Sequence, residues 1–211
     1  MFERLREGIF ANLSQHLGLY FFVLLLLAIG VVFGAVAVKT LDEAQKLELI
    51  EDLHFFQETV DPTTGSYDGN LVMRLAVANN LKAVGLTWLL GLTVIGIPVV
   101  AMIVFIRGFV IGFTVGFMVY ELGYRGILLA LLVVLPHNLL AVPAIVAAGT
   151  AALSFSFFLV RSRISGEKVL YEHFISYTVL VGLTALILVG ASFIEAYVTP
   201  VFMYVLKTYL G

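Results

Sequence analysis

Between Ile127 and Val160 the chain runs for 34 residues without an Asp, Glu, Lys or Arg. No water-soluble surface is built that way, whereas a helix crosses a bilayer core with about 20 apolar residues. The run is not uniform. Pro136 and Pro143 interrupt it, and His137 and Asn138 place polar groups at its centre. Ala144, Ala147, Ala148, Gly149, Ala151 and Ala152 then form a small-residue face suited to close helix contact. The run exceeds one crossing. Either it is a long tilted helix kinked at the prolines, or two half-helices meet between Pro136 and Pro143.

The rest of the chain agrees with a membrane setting. It is 61% hydrophobic and only 12% charged, with a mean hydropathy of +1.07, where soluble domains carry about 25% charged residues. No alternating ten-residue pattern suggests a barrel. A net charge of −2 gives no case for nucleic acid. Without cysteine there is neither a disulfide framework nor a thiolate metal site. The expected fold is an all-α polytopic membrane protein of about five transmembrane helices, with a proline-broken central span and a small helical external hairpin.

In chain order, residues 1–17 form a short N-terminal segment and 18–38 a first, charge-free span retained in the protein. Residues 39–81 are the long polar region and hold eight of the fourteen acids. Leu41, Ala44, Leu47, Ile50, Leu53 and Phe56 recur every three residues with acids between them, an amphipathic helical pattern. Asp61-Pro62-Thr63-Thr64-Gly65-Ser66 reads as a turn. Asn79-Asn80 precedes the next apolar run. Residues 82–196 hold four further spans, and 197–211 form a tail with interfacial aromatics.

Within 83–120 the boundary has two readings. A turn near Arg107 gives helices at 82–106 and 108–122. A turn at Gly96-Ile97-Pro98 leaves Arg107 inside the second helix. An arginine at the bilayer centre costs from about 2.5 kcal/mol upward, which favours the first.

Five spans put the termini on opposite sides. The positive-inside rule orients the N-terminus to the cytoplasm through Arg4, Arg6, Arg107, Arg161, Arg163 and Lys168. The 39–81 loop and the C-terminus are then external.

Gly108, Gly112 and Gly116 repeat every four residues on one helix face, with Ala144 and Ala148 as a second close-contact surface. The partner of the glycine face is a helix of the same chain or of a second copy, so a homodimer stays open. Pro136 removes a backbone donor, and a side chain of His137 or Asn138 can serve the carbonyl it leaves. The competing reading makes His137 a proton relay or metal ligand, yet Glu121 is the only other acid near that depth, and two ligands do not make a site. Ser154, Ser156 and Ser192 lack the partners of an intramembrane protease, and neither an HExxH nor a Walker motif occurs. These absences predict no enzyme, no cofactor and no metal.

Taken in order, these landmarks resemble the stage II sporulation protein M family over essentially the full length. They are Asn79-Asn80, the Arg107-Gly108 to Gly116 run, Pro136-His137-Asn138 with Pro143-Ala144, and the basic turn after Val160. The wider group it resembles carries Pro-His-Gly-x-x-Glu at this centre. Here Asn138 holds the glycine place and Ala141 the glutamate place, which favours a structural role for His137. The resemblance implies a non-enzymatic scaffold in the septal and engulfing membrane of the mother cell. It would organise the peptidoglycan-cleaving stage II sporulation proteins D and P during forespore engulfment. Leu41, Leu47, Ile50, Leu53 and Phe56 are the candidate partner-binding residues. The alternative is a transporter or transmembrane signal transmitter with a polar site near His137.

Overall fold

The structure, a computed structural model, describes residues 17–59, 68–165 and 170–202, and the side chains of all of these except 52–59 and 162–165. The N-terminal segment to residue 16, the Asp61–Ser66 turn, the basic pair Arg163 and Lys168, the tail beyond residue 202, and the side chains of Leu53 and Phe56 lie outside that description.

Every element among the described residues is helical. Helix α1 spans Leu17–Ala37 and closes in a 3-10 turn at Val38–Thr40. Helix α2 spans Glu43–Thr59. Asp42 and Gln45 start it by exchanging hydrogen bonds: the Gln45 amide donates to Asp42 Oδ1 at 2.8 Å, and the Asp42 amide to Gln45 Oε1 at 3.2 Å. This is a reciprocal cap of the kind that serves two otherwise orphaned donors. Helix α3 spans Gly69–Gly91, and Asp68 caps it by accepting from the Asn70 and Leu71 amides. Helix α4 spans Gly96–Leu122.

After a turn at Gly123, the only described residue with positive φ, at 57°, the chain re-enters as α5, Tyr124–Leu129. A π-helical segment follows at Ala130–Val134, then α6 at Leu135–Ser165. Helix α7 spans Leu170–Phe193, with a second π-helical segment at Ile194–Val198.

Among the described residues, four stretches are long and apolar enough to cross a membrane: Leu17–Thr40, Gly96–Leu122, Tyr124–Arg161 and Leu170–Phe202. That is one fewer than expected. Helix α3 runs among them as a fifth helix, but Arg74, Asn79, Asn80 and Lys82 dilute its apolar content. It also runs unbroken through residues 81 and 82, where the external loop was expected to end.

Pairing follows from which residues meet. Helix α1 is parallel to α4, since Leu27, Val31 and Ala35 lie against Gly108, Gly112 and Gly116 in turn. Helix α3 is antiparallel to α7, with Asn70 meeting Tyr197, Asn80 meeting Ser192 and Trp88 meeting Thr178. The core lies where the small-residue face of α6 meets α1, α4 and α7. Ala152, Leu153, Val23, Val100 and Leu188 are all at most 1% exposed there.

One expectation is corrected, and one open reading is decided. First, no turn falls at Arg107. The chain turns at residues 92–95, and α4 continues for 27 residues, about 40 Å at 1.5 Å per residue. The charge is tolerated because it faces polar side chains of other helices rather than lipid. Second, of the two readings of the central span, the single helix through both prolines is the one observed. Pro143 sits inside α6, and Pro136 is its second residue. The π-helical segment is the physical reason at Pro136. The Leu135 amide bonds back to the Ala130 carbonyl, a wider turn than α. The widening falls where proline has no donor to contribute and its ring needs room. The same device recurs before Pro200, where the Thr199 amide bonds to the Ile194 carbonyl.

Candidate functional site

Thr199, the residue after the second π-helical segment, donates from Oγ1 to the Val133 carbonyl of the first at 3.5 Å. Beside them lies a cavity of about 650 Å³, walled by α3, α4, the start of α6 and the end of α7. Leu49 of α2 closes one side. Most of the wall is apolar, from residues such as Val110, Phe117 and Met118. The polar groups are few: Asn79, Asn80, Arg107, His137, Asn138, Glu195, and the hydroxyls of Thr114 and Thr199. A cavity of that size and mixed character is typical of small-ligand sites.

Arg107 Nη2 donates to Asn80 Oδ1 at 3.0 Å. The Asn80 amide donates in turn to Ser192 Oγ at 2.9 Å, and Ser192 Oγ to the Leu188 carbonyl at 2.9 Å. Asn80 and Ser192 are buried, at 5% and 0% exposure, so this chain of bonds stitches α4 to α3 to α7. Glu195, one turn beyond Ser192, lines the same cavity as Arg107 and His137. No hydrogen bond or ion pair joins Glu195 to Arg107 among the described residues.

Asn138 Nδ2 donates to the Val134 carbonyl at 2.9 Å and lies 3.0 Å from His137 Nε2. His137 Nδ1 is buried without a hydrogen bond of ordinary geometry, although the Val133 backbone is close by.

The opposite end of the bundle is structural. The last carbonyls of α3 have no helical partners. Tyr177 Oη donates to those of Thr87 and Trp88, at 3.2 and 3.0 Å. Ser156 Oγ serves Gly91 and, in the turn, Thr93.

The structure brings His137 and Asn138 to the cavity, while Pro136 sits beside them at the start of α6 without lining it and Pro143 lies a turn and a half further along. Ala144 and Ala148 are buried in the bundle, at 3% and 2% exposure. Gly108, Gly112 and Gly116 face α1 of the same chain. A Cβ on either of the first two would collide with the carbonyl oxygen of Leu27 or Val31, and the Cα of Ala35 is 2.9 Å from one placed on Gly116. Gly30 and Gly34 of α1 complete that contact against the α4 backbone. Their signal was present in the charge-free first span, as a second four-residue glycine spacing.

Of the partner-binding candidates, Leu41 precedes α2 rather than belonging to it. Leu47 is 61% exposed and Ile50 is half-buried. The inward side of α2 is carried by Lys46 and Leu49, because a three-residue spacing drifts around a helix of 3.6 residues per turn.

Sequence reasoning missed three cavity residues. In sequence Asn80 stands at the entry to an apolar run, Arg107 in a turn and Glu195 at the end of the last span, with no sign that they meet. Glu121 reads as the only acid near the depth of His137. It lies instead at the end of α4, and Glu195 is the acid that faces the histidine.

A family model described as stage II sporulation protein M matches residues 23–200. The chain belongs to that family. The match covers most of the chain and takes in every residue that lines the cavity. No curated protein and no solved structure matches. Membership of the stage II sporulation protein M family makes this a sporulation-related membrane protein, and that family is not a known enzyme family.

Proposed function

We propose that this family member is a non-enzymatic membrane scaffold that holds peptidoglycan-cleaving enzymes, stage II sporulation proteins D and P, at the septum during forespore engulfment. The observation that carries this reading is the outward face of α2. Leu47 stands exposed there beside Glu43, Glu48 and Glu51, while Lys46 ties the other face to Tyr120 of α4 at 3.5 Å. We read this exposed leucine, rimmed by acids on a helix tethered to the bundle, as the docking point for the partner enzymes.

The proposed setting is the mother-cell septal and engulfing membrane, with the N-terminus cytoplasmic and α2 and the C-terminus outside. Arg161, Arg163 and Lys168 mark the cytoplasmic end without help from Arg107. The test is co-purification with the external domains of proteins D and P. Leu47→Glu with Ile50→Glu should abolish it while the bundle keeps its stability, and unchanged recovery of both enzymes would end this reading.

A second reading rests on the cavity. Ionisable groups inside a bundle are the usual mark of a transport or signalling path. A solute flux in reconstituted vesicles, lost on His137→Ala, would support it.

A further inference from the structure

We propose that the cavity between α3, α4, α6 and α7 binds a small zwitterion of the α-amino-acid class, its carboxylate on Arg107 and its ammonium group on Glu195. Among the lining residues, Arg107 and Glu195 carry the fixed charges. They line the same space, but no ion pair joins them among the described residues. Opposite charges held apart across a mostly apolar cavity leave room for a group that satisfies both.

The donor inventory agrees. A guanidinium has five N–H donors, and Arg107 spends one on Asn80, so a fork remains for a carboxylate. The two fixed charges cancel. A lone anion meets Glu195, a lone cation meets Arg107, and a ligand bearing both charges close together matches the cavity. The imidazole of His137 and the amide of Asn138 add polar surface to the same wall. Val110, Phe117 and Met118 offer an apolar bed for a side chain.

The binding site deepens the second reading above and leaves the scaffold reading untouched. Binding without flux would uphold the site and end transport.

The experiment is a titration of the full-length protein in lipid nanodiscs, read by calorimetry and by thermal shift. The probes are leucine, leucine amide (cation only) and 4-methylpentanoate (anion only), with glycine and phenylalanine alongside. Leucine is expected to bind saturably, and each single-charge analogue at least 10-fold more weakly. The variants make the result independent of a folding defect, because preference should swap rather than vanish. Glu195→Gln should favour 4-methylpentanoate over leucine, and Arg107→Gln should favour leucine amide. Saturable binding by none of the three amino acids, equal binding of all charge forms, or a phospholipid retained in the cavity that no probe displaces would each overturn the proposal.

Discussion

Arg107 in the middle of α4 donates to Asn80 in the middle of α3 at 3.0 Å. The bond places a permanent charge inside the bundle rather than in a turn. Its acceptor is itself held by Ser192 on α7, so three helices share one polar joint.

That joint predicts a stability effect. Asn80→Ala removes the acceptor of Arg107 and the donor to Ser192. Interhelical hydrogen bonds in membranes average about 0.6 kcal/mol and reach about 1.7, and those to charged groups run about 1.5–3. Asn80→Ala is expected to cost about 1–3 kcal/mol in reversible unfolding from mixed micelles. Adding Ser192→Ala should cost little more, since its partner is already gone. Full additivity would show that the two bonds are not one network.

The glycines divide by what surrounds them. A Cβ on Gly112 would strike the Val31 backbone, whereas one on Gly182 meets nothing within 4 Å. Gly112→Val is expected to destabilise by about 1–3 kcal/mol or more, the range for overpacking. Gly182→Ala should be neutral or stabilising by up to about 1 kcal/mol through helix propensity. Thermal unfolding of the two variants side by side checks the contrast.

The same face can be located by crosslinking. The chain has no cysteine, and a Cβ on Gly116 lies 3.3 Å from that of Ala35, near the disulfide range of about 3.5–4.5 Å. Oxidising the Ala35→Cys, Gly116→Cys double variant should give an internally bridged monomer on denaturing gels. A covalent dimer as the main product would assign the glycine face to a second copy.

Attachment of α2 should depend on pH only at the alkaline end. The Tyr120 hydroxyl is the main influence holding the Lys46 amine above its ordinary 10.5, with Glu43 adding to it and burial opposing. A raised pKa in the folded state means the attachment is complete below pH 10.5 and is lost as pH climbs through the folded value. Spin labels at positions 47 and 124 should hold one distance from pH 6 to 9 and broaden above pH 10.5. Lys46→Gln should broaden the distribution at every pH.

Much of this molecule could be read without coordinates. A 34-residue stretch free of charge, and another from Gly18 to Val38, leave no alternative to apolar helices in a bilayer, because each is a local property of composition and length. The glycine spacing likewise marked a surface of close contact, since a missing side chain is a local fact too. Tertiary structure alone decided what met what. Asn80 and Ser192 are 112 residues apart, and Arg107 and Asn80 are 27 apart. The cost of a buried charge depends on the partners that other helices bring to it, so Arg107 looked like a turn until Asn80 and Glu195 stood opposite. The prolines left two readings open for a related reason. Pro136 threatens a helix only if the turn before it stays α, and the π-helical turn at Ala130–Val134 accommodates it where Thr199 of a distant helix packs alongside.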